Sequence, residues 1–207
     1  MKIYLASSSP RRQELLQALG LQFDVLVPDI LEFPMQNEKP SAYALRNAQE
    51  KALKVCAARR NIDPTEDFVT IAADTIVVLN NTILEKPVDE KHAVLMLKSL
   101  SGQSHMVITA VSLAGYIKGV YRHKSFNVDT QVLIKNLSDE EIDWYVSTKE
   151  PLDKAGSYAA QGKGSLFIEK IEGSFTNVVG LPIFQLFEAL REHFGIMVYN
   201  LEGSISN

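Results

Sequence analysis

From Val69 to Leu79 the chain consists almost wholly of apolar residues, alanine and threonine, and one carboxylate, Asp74, stands in the middle. Phe68 to Leu79 reads as a strand. A carboxylate buried in such a strand costs several kcal/mol unless a cation, a metal or hydrogen bonds compensate it. The alternative is a strand end or bulge that turns Asp74 to water. Asn80-Asn81 reads as a hairpin turn, with Thr82 to Leu84 returning antiparallel. That reversal carries the segment around Lys86 back toward Asp74, and the register, hence the face Lys86 occupies, stays open. Lys51 is a second anomaly, because it shares a helical line with Ala44, Ala48 and Val55 where an apolar residue is expected. It either meets a buried acid or snorkels along that face.

The rest of the chain reads as alternating strands and helices. Lys2 to Ala6 is a strand, Pro10 opens a helix that Gly20 ends, and Phe23 to Val27 is strand-like. An irregular acidic segment with Asp29 and Glu32 follows, and Ser41 is expected to cap a helix running to about Arg60. A helix from Asp89 to Ser101 precedes a strand-rich middle: His105 to Ala114, a turn near Gly115 to Gly119, and Ser125 to Ile134. Ser138 and Glu141 have capping-box spacing for a short helix through Tyr145. Leu152 to Pro182 carries five glycines and reads as a working loop. Pro182 opens a last long helix, and Ile196 to Leu201 is expected as an edge strand. Repeats and linker-like stretches are absent, so residues 1–207 are expected to form a single domain.

Composition excludes several classes. A chain of 207 residues, 46% hydrophobic and 22% charged, can bury a core without disulfides. No apolar run approaches the roughly 20 residues that span a bilayer, and no signal-peptide pattern opens the chain, so a cytoplasmic protein without membrane contact is expected. The single cysteine, Cys56, agrees with a reducing compartment and reads as a core residue. A net charge of -4 disfavours nucleic acid as a partner. His92, His105, His123 and His193 lack metal-ligand spacing. Neither a G-x-S-x-G elbow nor a Walker phosphate loop is present.

One segment does suit phosphate. Ser7-Ser8-Ser9-Pro10-Arg11-Arg12 joins a strand to a helix N-terminus, where backbone N–H groups and the helix dipole favour an anion. Two arginines add forked donors. A plainly capped helix with two solvated arginines fits the same residues. Glu32 could join Asp74 as a second carboxylate for Mg²⁺ on a triphosphate, or be an ordinary solvated loop acid.

Ser7-Ser8-Ser9-Pro10-Arg11-Arg12, Ala73-Asp74-Thr75, Glu85-Lys86-Pro87, Leu100-Ser101-Gly102, Leu152-Asp153-Lys154-Ala155-Gly156, Gln161-Gly162 and Asn177-Val178-Val179-Gly180-Leu181-Pro182 together resemble the Maf family, collinearly from about Ile3 to Arg191. Ala-Asp-Thr followed by Glu-Lys-Pro is most similar to the branch acting on dTTP and UTP. The resemblance implies an α/β fold with an elongated mixed central sheet, flanking helices and two lobes around a deep cleft, like inosine triphosphate pyrophosphatase. It implies a nucleoside triphosphate pyrophosphatase that needs Mg²⁺ or Mn²⁺ and is often a homodimer. A non-catalytic nucleotide-binding regulator of cell division is the alternative. By the same resemblance Asp74 and Glu32 are catalytic and metal-binding. Lys51, Lys86 and Arg12 surround the triphosphate, Ser7 and Ser9 lie in the phosphate-facing turn, and Arg11, Thr75 and Gln161 bear on base choice.

Overall fold

The computed structural model describes residues 1–197. In chain order its elements are β1 (Lys2–Leu5), α1 (Pro10–Gln17), β2 (Asp24–Val25), α2 (Pro40–Ile62), β3 (Phe68–Leu79), β4 (Thr82–Leu84), α3 (Glu90–Leu100), β5 (Ser104–Ile117), β6 (Val120–Ile134), α4 (Asp139–Ser147), β7 (Ile168–Glu172), α5 (Phe175–Val179) and α6 (Ile183–Ala189). This is the expected α/β class. The strands form a mixed sheet in the order β2-β1-β3-β5-β6-β7, with β4 paired to β3. The chain divides into two compact units, one of Met1–Asp74, Ala110–Asn127 and the chain from Gly180, the other of Thr75–Thr109 and Val128–Val179.

In the first unit, β1 and β3 run parallel, pairing Ile3 with Val69 and Leu5 with Ile71. Side chains alternate between the faces of a strand. Ile3, Leu5, Val69, Ile71 and Ala73 accordingly pack with Leu16 of α1 and with Leu186 and Ala189 of α6. Tyr4, Ala6, Phe68 and Ala72 pack on Ala52, Val55 and Cys56 of α2. The even-numbered positions of β3 thus face α2, and Asp74 is the next of them.

The second unit gathers Val77, Leu97, Leu100, Val107, Ile134, Ile142, Tyr145 and Phe167 into one apolar cluster. The Asn80-Asn81 hairpin has both turn residues at positive φ, 49° and 63°, and pairs Leu79 with Thr82. Asparagine tolerates that left-handed pair better than most residues, and its twist matches that of the strands. The Ser138–Glu141 capping box forms as expected.

Several expectations need correction. Lys39, not Ser41, is the N-cap of α2, because Pro40 takes the first helical position. Gly115 lies inside β5 rather than in a turn; a Cβ there would come within 2.1 Å of the Phe68 carbonyl oxygen. The reversal falls instead at Lys118-Gly119, at positive φ. β6 begins at Val120, five residues before the expected start. The glycine-rich stretch is not one loop: it holds short 3₁₀ turns, β7 and α5. The helix after Pro182 continues through a π-type turn, Leu190–Phe194. Ile196 and Met197 are not in a strand, and the rest of the expected edge strand lies outside the described residues.

Among the described residues no helix is long and apolar enough to cross a membrane. Cys56 is buried, and burial pushes its thiol up to about 11. Thiolate is the reactive form. Cys56 is therefore expected to stay unmodified by a thiol reagent at neutral pH until denaturant is added, as a spectrophotometric thiol titration would show.

Candidate active site

Asp74 is buried at 7% exposure, so the water-facing alternative is excluded. Its position on the α2 face of β3 sets its partners. Lys51 Nζ donates to Asp74 Oδ1 at 2.6 Å and to Glu32 Oε2 at 3.0 Å. Lys51 is itself buried and does not snorkel. Asn47, one helical turn earlier on α2, donates from Nδ2 to Asp74 Oδ2 at 3.1 Å. Both carboxylate oxygens are therefore engaged, one by a charge and one by an amide.

Glu32 keeps its side chain nearly half exposed. Its irregular segment is tied to α2 by Lys54, which donates to the Asp29 carbonyl, and by Arg46, which reaches the Phe33 carbonyl at 2.9 Å and Glu38 at 2.8 Å. Two cations on one helix, Arg46 and Lys54, thus hold this irregular stretch. They keep Glu32 within reach of Lys51.

In the serine-rich turn Arg12 is buried, so the alternative of two solvated arginines does not hold for it. Arg12 points inward, donating to the Gly180 carbonyl at 2.8 Å and to Ser7 Oγ at 3.0 Å. Ser7, also buried, accepts from the Ser9 backbone N–H at 3.2 Å. Burial lowers the Arg12 pKa from its ordinary value, while the charges of Asp74 and Glu32 pull it back up. Arg12 therefore adds positive potential to the acidic pair without lying on the surface. Arg11 and Ser9 are only partly buried, and Ser9 makes no side-chain cap to α1.

Thr75, Lys86 and Gln161 belong to the second unit. Thr75 Oγ1 lies 2.9 Å from Thr109 Oγ1. Lys86 is exposed just beyond β4. Gln161 is partly buried and precedes a 3₁₀ turn, Gly162–Phe167. Its loop is pinned on both sides. Upstream, the Tyr158 hydroxyl meets His105 Nε2 at 2.7 Å. Downstream, Glu150 accepts from the backbone N–H groups of Gly164 at 2.9 Å and Lys163 at 3.1 Å, and from the Tyr145 hydroxyl at 3.0 Å. Those bonds hold the Glu150 carboxyl below its usual pKa although burial opposes them.

Asn47, Glu150 and Thr109 escaped the sequence reading. Asn47 carried a usable signal, since it lies four residues before Lys51 on the same buried helical face. Glu150 and Thr109 carried none, because most of their partners are brought close only by tertiary folding.

The Maf-like protein family model matches residues 2–193. The chain belongs to the Maf family. Among its relatives, a protein of Escherichia coli O157:H7 named dTTP/UTP pyrophosphatase is 47% identical over 190 residues, 91% of each chain. Relatives of the same name from Photorhabdus laumondii and Caldanaerobacter subterraneus are 45% and 46% identical, covering 94% and 95% of this chain and 95% and 91% of their own. The family match takes in every residue of the Asp74 cluster and all the Maf motifs quoted above.

Proposed function

We propose that this Maf protein hydrolyses dTTP and UTP to the nucleoside monophosphate and pyrophosphate, acting on the nucleotide pool. The observation that carries the reading is Asp74, a buried carboxylate held by Lys51 and Asn47 beside Glu32, in a chain whose relatives bear that name. A structural ion pair alone is a poor use of a strand interior, because desolvating two charges offsets most of their attraction. A carboxylate fixed by two donors is suited to proton transfer.

In the proposed reaction a water oxygen attacks the α-phosphorus, the bond to the α,β-bridging oxygen breaks, and pyrophosphate leaves. Asp74 accepts the water's proton. Arg11, Arg12, Lys51 and Lys86 are the cations assigned to the charge that accumulates on the leaving group. Ser7 and Ser9 shape the turn on which Arg11 and Arg12 stand, and Arg11, Thr75 and Gln161 are assigned to the base.

The residues also fit a divalent cation, Mg²⁺ or Mn²⁺. Asp74 and Glu32 are hard oxygen donors, and Asn47 Oδ1 is buried with no hydrogen-bond partner. Among the described residues no cluster of three or more acidic, histidine or cysteine side chains could hold a metal ion. Mg²⁺ on a triphosphate takes one or two carboxylates and completes its shell with phosphate oxygens and water. When bound, it would supply Lewis-acid neutralisation of the triphosphate.

The test is pyrophosphate release from a panel of nucleoside triphosphates with Mg²⁺, with Mn²⁺ and with EDTA. Release from dTTP and UTP that EDTA abolishes is expected. Failure to hydrolyse any triphosphate would overturn the enzymatic reading in favour of a nucleotide-binding regulator.

A further inference from the structure

Two neighbouring lines of polar side chains run along α2. Asn47 and Lys51 form one and reach Asp74. Arg46, Glu50 and Lys54 form the other, because a four-residue spacing keeps side chains on one face of a helix. Arg46 Nη1 meets Glu50 Oε1 at 3.3 Å. Lys54 holds the Asp29 carbonyl and Arg46 the Phe33 carbonyl. Glu32 is thus bracketed by two backbone anchors on α2, and the Arg46 anchor is on the very next residue.

Apolar burial does not anchor this segment: Leu31, Phe33 and Met35 are 74%, 56% and 54% exposed. The ion pair of Glu32 with Lys51 is a weak anchor by itself, since nearly half of the Glu32 side chain stays in water. The Arg46 guanidinium supplies what is missing. Its Nε donates to Glu38 Oε1 and its Nη2 to Glu38 Oε2, both at 2.8 Å, and Nη2 also donates to the Phe33 carbonyl at 2.9 Å. Glu38 Oε2 accepts in addition from the Met35 backbone N–H at 2.9 Å, and the Glu38 N–H donates to the Met35 carbonyl at 3.1 Å. Phe33 to Glu38 is thereby closed into a small loop on one planar fork. The bond from Arg46 draws the Glu38 carboxyl down to about 2, so both charges of the fork persist at neutral pH.

We infer that Arg46 and Glu38 are positioning residues for the reaction, which by fixing the Phe33 carbonyl fix where the Glu32 carboxylate stands relative to Asp74. Neither residue is assigned a contact with the reacting atoms. A guanidinium suits the task because its donors lie in a rigid plane, enough of them to hold a carboxylate and a carbonyl together, whereas a lysine would bring the charge without the fork. The inference rests on the proposed pyrophosphatase reading, in which Glu32 works beside Asp74.

The test is a double-mutant cycle on kcat/KM for dTTP with Arg46→Met, Glu32→Gln and the two combined. Arg46→Met is expected to lower kcat/KM by about tenfold or more, the scale of loss when a working group is displaced. In the Glu32→Gln background the same change is expected to lower it by less than about twofold, because the carboxylate it would displace is already gone. A general structural defect would instead act equally in both backgrounds. Arg46→Lys is expected to lose as much as Arg46→Met. With neither nucleotide nor metal present, chymotryptic cleavage after Leu31 or Met35 is expected to be faster in Arg46→Met than in the wild type. Equal losses in the two backgrounds, full activity in Arg46→Lys, or unaltered cleavage each overturn the inference. Should Arg46→Met fail to fold, Glu38→Gln, which takes one acceptor and the charge from the fork, replaces it in the cycle with the same expectations. A wild type inactive on every triphosphate, or Glu32→Gln as active as wild type, removes the underlying reading and the inference with it, and is distinct from an active, Glu32-dependent enzyme whose losses simply add.

Discussion

Asp74→Asn is expected to lower kcat for dTTP and UTP by about 10³-fold or more, the upper part of the range for loss of a general base, while the protein remains folded. Asparagine preserves the shape of the side chain, so the hydrophobic packing of β3 on α2 is retained. It removes the group that takes the proton, and it removes the negative charge from Lys51. Lys51 keeps Glu32 at 3.0 Å, so the ammonium is not left alone, and the stability loss stays below the about 3–5 kcal/mol typical of an orphaned buried charge. KM is expected to move much less than kcat, because the assigned role lies in the chemical step. Lys51→Met provides the contrast. It leaves Asp74 and Glu32 facing each other without their shared cation, and should destabilise the protein more than Asp74→Asn does. Steady-state kinetics with thermal unfolding of both variants would check the pair. Near wild-type turnover in Asp74→Asn would remove Asp74 from the chemistry.

Much of this site was legible because it breaks the rules of its surroundings. A carboxylate in an apolar strand and a lysine on an alanine line are each unfavourable, and the structure resolves both at once by pairing them. The parity of β3 then dictates that Asp74 faces α2, once β1 and β3 are known to be parallel neighbours. That pairing is a non-local fact that periodicity does not contain. Arg12 shows the opposite case. Adjacent arginines at a helix start suggest either an anion site or two solvated side chains, and neither reading contains the inward bond of Arg12 to the Gly180 carbonyl, 168 residues away. The glycine-rich stretch misled for a related reason: positive φ at Gly156, Gly162, Gly173 and Gly180 serves tight turns between short elements rather than one flexible loop. The irregular course of Glu32 was expected, but its three tethers to α2 were not, since two of them end on backbone carbonyls.

A second large effect concerns stability below neutral pH. His105 is buried at 4% exposure, and burial pushes its imidazole down to about 4, whereas in the unfolded chain it titrates near 6.5. Between those values the unfolded chain binds a proton that the folded protein refuses, so stability falls as pH is lowered through that window. Above pH 6.5 the contribution of His105 is complete, and by pH 4 it has cost about 3 kcal/mol, a large share of the 5–15 kcal/mol that holds a domain together. The Tyr158 hydroxyl at 2.7 Å does not oppose this, because a hydroxyl bonds the neutral ring as acceptor or donor and offers no charge to an imidazolium. Glutamine keeps a polar partner for Tyr158 and cannot titrate. Urea denaturation at pH 7, 5.5 and 4.5 is therefore expected to show the wild type losing more stability than His105→Gln as pH falls, with the two curves converging toward pH 4.5. Parallel curves would mean that His105 is protonated at little cost in the folded protein. The slope also reports on the loop, since Tyr158 stands three residues before Gln161. If charging His105 detaches Tyr158, protease cleavage between Tyr158 and Lys163 should rise in the same pH window in the wild type and stay flat in His105→Gln.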